Sequence, residues 1–183
     1  MSRAQRIGVA LAVLGVSFSG TASAASTAKV GCGQKSGGQF PGAFEAPANL
    51  VVGPFVLVGW HQGTSSVFAA NPGRPLRWKM PAFVRDGRRV TVRIAREARD
   101  RARLAYATRD AVALSDHPWQ ITFTACSRKK GERSHSSVDG KPVTFWSGGV
   151  VFQTAPACVP IEFRHDWSRV WRTRTLKLAT TDC

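Results

Sequence analysis

The chain has 183 residues, with 26 lysines and arginines against 11 aspartates and glutamates and a formal net charge of +15. That length supports one domain with a substantial apolar core, which excludes a miniature fold held together by cross-links alone. The charge favours anionic partners and disfavours basic ones.

Residues 1–24 read as a secretory leader. Arg3 and Arg6 precede an apolar run at 7–18, and Ala22-Ser23-Ala24 supplies the small residues that signal peptidase prefers. The run is roughly a dozen residues, short of the ~20 that span a bilayer, and no later stretch is longer. The expected product is therefore secreted or envelope-associated, with no transmembrane span after cleavage and 24 basic against 11 acidic residues. Arginine outnumbers lysine 19 to 7, as GC-rich coding would give, so charge by itself defines no site.

Residues 25–48 are rich in Ser, Gly and Pro and read as a flexible arm pinned at Cys32. From Asn49 short apolar runs alternate with turn residues. Strands are expected at 50–52, 54–60, 66–70, 76–83, 89–95, 120–126, 143–152, 159–165 and 173–179. Val90, Val92 and Ile94 alternate with Arg89, Thr91 and Arg93, and Ile121, Phe123 and Ala125 with Gln120, Thr122 and Thr124. That is the period-2 signature of a half-buried strand. Turns are expected at Asn71-Pro72-Gly73, Asp86-Gly87 and Asp139-Gly140, with Asp86-Gly87 the leading hairpin signal. Residues 96–110 are rich in helix formers and also fit a hairpin, and a turn over 97–100 followed by a strand is favoured.

Four segments, Leu50-Val51-Val52-Gly53-Pro54-Phe55, Phe145-Trp146-Ser147-Gly148-Gly149-Val150, Cys158-Val159-Pro160-Ile161-Glu162-Phe163 and Leu176-Lys177-Leu178-Ala179, resemble a group of small secreted, uncharacterised β-sandwich proteins of actinobacteria. The resemblance covers residues 49–183. It implies export and a single-domain, mainly β, antiparallel Ig-like sandwich behind a signal-peptide helix, and it carries no activity or ligand. An even number of cysteines in an exported chain argues for two disulfides. Four cysteines allow three connectivities; Cys158 with Cys183 would staple the C-terminal hairpin, leaving Cys32 with Cys126 to tie the arm to a central strand.

No catalytic motif stands out. Gly-x-Ser-x-Gly is absent, His61, His117, His135 and His165 lack triad-like context, and neither His-x-x-x-His nor Cys-x-x-Cys occurs. No catalytic residue, metal or cofactor is expected. The candidate binding residues are basic and aromatic: Arg89, Arg93, Arg101 and Arg103 as a stripe on one exposed face, and Trp167, Arg169, Trp171 and Arg172 as interleaved aromatics and cations. Six tryptophans are enough to fill a core and leave some at the surface. The leading expectation is a non-catalytic module whose basic face binds an anionic cell-wall polymer or glycan. Export disfavours nucleic acid as the partner. The alternatives are a hydrolase assembled only in three dimensions and an extracellular protein-protein interaction module.

Overall fold

The computed structural model describes residues 27–65, 74–106 and 112–183. The expected leader, the strand at 66–70, the turn at Asn71-Pro72-Gly73 and residues 107–110 lie outside the described residues. The described chain forms thirteen short strands: β1 (Thr27–Val30), β2 (Leu50–Val52), β3 (Phe55–Leu57), β4 (Leu76–Lys79), β5 (Ala82–Arg85), β6 (Arg89–Ile94), β7 (Ala102–Leu104), β8 (Gln120–Thr124), β9 (Ser136–Val138), β10 (Lys141–Trp146), β11 (Gly149–Phe152), β12 (Ala157–His165) and β13 (Arg172–Leu178). They make three sheets ordered β1-β8-β6-β12-β13, β2-β3-β5-β10-β9 and β4-β11-β7. Disulfides join Cys32 to Cys126 and Cys158 to Cys183.

Alternation decides which faces are buried. Val90, Val92 and Ile94 of β6 and Ile121 and Phe123 of β8 point inward, where they meet Phe55 of the second sheet and Leu104 of the third. Phe55 lies 5.6 Å from Phe123 and 6.0 Å from Phe163, ring centre to ring centre, so aromatic contacts join the two larger sheets. Each such ring contributes roughly 1.5–3 kcal/mol by leaving water. Trp146 and Trp60 are core residues too.

Two expected strands are broken where the chain passes between sheets. Residues 76–83 divide into β4 and β5 at Met80-Pro81, and residues 143–152 into β10 and β11 at Ser147-Gly148. Met80 N–H donates to the Gly148 carbonyl across this corner, at 2.8 Å. Backbone crowding explains the paired glycines. A Cβ on Gly149 would lie 1.9 Å from the Trp78 carbonyl oxygen, and one on Gly148 2.2 Å from Tyr106 Cδ1.

Three expectations are corrected. The segment expected as a flexible arm contributes β1, which pairs in parallel with β8, and continues past Cys32 to a bridge between Ser36 and Phe145. Val30 is buried, and Trp146 Nε1 donates to the Gly31 carbonyl, so this stretch is part of the folded domain. Asp86-Gly87 forms a turn but not a hairpin: β5 and β6 belong to different sheets. A two-residue type I′ loop needs positive φ at both central residues, and here only Gly87 has it. Beyond the turn the chain bonds to the end of β8, with Gly87 N–H on the Cys126 carbonyl. The two-residue hairpin forms instead at Asp139-Gly140, both with positive φ, between β9 and β10. Strand β9 has no counterpart among the expected strands. Residues 96–106 follow the favoured reading, a 3₁₀ turn at Arg96–Ala98 leading into β7.

Candidate anion-binding face

The outward positions of β6 and β12 place charged side chains side by side. Register pairs Arg93 with Glu162 and Thr91 with Arg164, so Arg93 and Arg164 lie diagonally on neighbouring strands. Arg93 Nε bonds to Glu162 Oε2 at 2.5 Å. Trp171, immediately before β13, completes the group. The Arg93 guanidinium carbon stands 3.8 Å from its ring centre and that of Arg164 4.7 Å.

The row extends through Arg99, which the 3₁₀ turn after β6 carries over Trp119 at 3.6 Å. Arg99 Nε donates to the Ile94 carbonyl, fixing the side chain from below. Burial, then the Arg93 charge, hold Arg99 below the ordinary arginine pKa. Arg103 is held below it chiefly by burial as well, with Asp100 opposing and Arg99 adding to the shift. Both stay cationic at any ordinary pH. Arg99 is thus close enough to feel both the Arg93 and the Arg103 charge.

Stacking of this kind uses the flat face of a guanidinium and leaves its N–H edge free to bond an oxyanion. It also removes much of the rotamer freedom that a free arginine would lose on binding. The arrangement suits recognition of carboxylate, sulfate or phosphate oxygens.

The sequence candidates divide. Arg89 and Arg93 share the outer face of β6, four residues apart, and Trp171 stacks on Arg93. Arg101 and Arg103 lie at β7 in the three-stranded sheet, a different sheet from the one that carries Arg89 and Arg93. Arg103 Nη1 bonds back to the Ala102 carbonyl, and Arg101 borders a small recess beside Cys158. Trp167 and Arg169 lie exposed in the β12–β13 loop. Arg172 sits opposite Phe163 in register, on the other side of β13 from Thr173. Arg99, Arg164 and Trp119 were not among the candidates. Alternation in β12 marks Arg164 as outward, whereas nothing local connects Arg99 to a tryptophan 20 positions later.

A polar depression of about 780 Å³ brings His135 near Glu132, Ser134 and Ser136. Two of its polar groups serve the scaffold: Glu132 accepts from the Ser127 N–H, and Ser134 donates to Asp86. Among the described residues no hydrogen bond joins His135 to them. No group of three His, Cys, Asp or Glu residues is placed to hold a metal among the described residues, and no helix there is long and apolar enough to cross a membrane. No protein-family model matches the chain, and no curated protein or solved structure matches it.

Proposed function

We propose that this is an exported, non-catalytic binding module of the Ig-related sandwich type that holds anionic cell-envelope polymers against the outer face of β6 and β12. The observation that carries the reading is the double stack of Arg93 and Arg164 on Trp171. A single stacked arginine is common at protein surfaces; two on one ring, with Arg99 on Trp119 adjoining, make an ordered array of donors. Adjacent strands are about 4.8 Å apart, so cations on neighbouring strands are close enough to engage successive charges of a polyanion. Glu162 neutralises only part of this field, and the whole chain keeps 26 basic residues against 11 acidic ones.

Retention of the oxidised protein on purified cell-wall polymer across a salt gradient tests the reading, with heparin as the generic polyanion. Arg93→Gln combined with Arg164→Gln is expected to elute from the wall polymer at clearly lower salt, with an unchanged melting temperature. Elution of this variant with the native protein would overturn the assignment of the face. Equal retention of the native protein on heparin and wall polymer would reduce it to a general polyanion binder.

A further inference from the structure

The described residues hold four exposed large hydrophobic side chains, and two of them share one loop. Trp167 is 55% exposed and Val170 69%, both in the loop between β12 and β13, and Val51 of β2 is 41% exposed. The β2–β3 turn adjoins the loop: a Cβ on Gly53 would lie 3.4 Å from His165 Cδ2 and 4.0 Å from Trp167 Cζ2. Below the exposed edge, Trp167 packs on His165 at 4.3 Å, and Arg88 stacks on its ring at 4.6 Å.

Two further properties distinguish this tip from a casual apolar patch. Its backbone at Ser168 and Val170 is paired from within. Ser168 N–H donates to the His165 carbonyl at 3.0 Å, Val170 N–H donates to Ser168 Oγ, and that hydroxyl bonds the Val170 carbonyl, both at 3.1 Å. Polar backbone that is already paired can enter a medium poor in water without the usual cost. The flanking charge is also one-sided. Arg88 stacks on Trp167, and Arg169 and Arg172 flank Val170 along the chain, with Asp166 the acid in the loop. An indole and a branched aliphatic exposed in one loop, with guanidinium groups on the same loop and stacked on the indole, match the layered chemistry of an anionic bilayer, with phosphate outside and acyl chain beneath.

We infer that the β12–β13 loop is a shallow membrane anchor, inserting Trp167 and Val170 into the interface of a bilayer bearing anionic lipid while Arg88, Arg169 and Arg172 engage the phosphates. This site is separate from the polymer-binding reading of the Arg93–Trp171 face, though near it. Insertion is confined to the headgroup and upper acyl region, the depth that interfacial segments reach.

The test uses the oxidised full-length chain and vesicles of phosphatidylcholine alone or mixed with phosphatidylglycerol. Co-sedimentation measures binding, and quenching of tryptophan emission by brominated acyl chains measures insertion. The native protein is expected to bind only the mixed vesicles and to be quenched by them. Trp167→Ser with Val170→Ser is expected to bind them about tenfold or more weakly, since the apolar area available for burial is lost while every arginine stays. Val170→Ser alone is expected to weaken vesicle binding and leave wall-polymer retention unchanged. Equal binding of native and double-variant proteins would mean that charge alone drives association, and would overturn the anchor. Native binding without quenching, or no native binding, would also overturn it. None of these results bears on the Arg93 and Arg164 variants, whose readout is the polymer.

Discussion

Thr144 and Asp86 are joined by a hydrogen bond that couples the corner between two sheets to a disulfide. Thr144 Oγ1, on the fully buried side of β10, donates to Asp86 Oδ1 at 2.9 Å and accepts from the backbone N–H of Cys126 at 2.7 Å. Ser134 donates to the other carboxylate oxygen at 2.8 Å. With the Gly87 N–H on the Cys126 carbonyl, the Asp86-Gly87 turn is held by three partners at the point where the chain leaves β5 for β6.

Removing that hydroxyl isolates two groups at once. Thr144→Val keeps the shape but leaves the Cys126 N–H without its acceptor and Asp86 without one donor. A buried polar group left unpaired costs about 1–3 kcal/mol. The expected loss of stability by urea unfolding is in that range, whereas Ser134→Ala, at a less buried position, is expected to cost less.

At the proposed polymer face, charge and order can be separated. Trp171→Leu keeps every arginine but removes the ring that holds Arg93 and Arg164. Affinity for the polyanion is expected to fall several-fold while the slope of log affinity against log salt stays constant, because the number of displaced counterions does not change. Arg93→Gln with Arg164→Gln is expected to lower affinity and flatten the slope together. If Trp171→Leu bound like the native protein, stacking would be incidental to binding.

The strands with clean alternation were legible in the sequence because period-2 patterning directly encodes a buried face. Arg89–Ile94 and Gln120–Thr124 are the examples. Turn residues were legible as turns but not as connections. Asp86-Gly87 and Asp139-Gly140 look alike in sequence, and the difference lies in the positive φ of Asp139 and in the distant partner Thr144. Strand β1 was hidden because its stability comes from pairing with a strand some 90 residues away, not from its own composition. The candidate face was half visible for the same reason. Arg93 and Trp171 carried local signals, but Arg99 finds Trp119 only because β6 and β8 are neighbours.

The corner at Gly149 makes a steric prediction. A methyl group there would lie 1.9 Å from the Trp78 carbonyl oxygen, in backbone that cannot swing aside as a long side chain could. Gly149→Ala must therefore shift β4 against β11, and overpacking of this kind costs about 1–3 kcal/mol or more. Thermal unfolding is expected to show a markedly lower midpoint. Gly140→Ala, where nothing lies within 4 Å, is expected to cost less, through its positive φ alone.

His117 gives the fold a dependence on pH. It is buried after the 3₁₀ turn at Leu114–Asp116, and burial, reinforced by the Arg77 charge and opposed by Asp116, holds its pKa below the ordinary imidazole value of 6.5. Between that lowered value and 6.5 the unfolded chain binds a proton that the folded one does not. Stability therefore rises with pH across this window, is fully present above it, and is lost as pH falls toward the folded-state value. Urea unfolding of the native protein from mildly acidic to neutral pH is expected to show that rise. His117→Gln, which cannot take up the proton, is expected to lose this part of the slope, and an identical pH profile in the two proteins would place the acid sensitivity elsewhere.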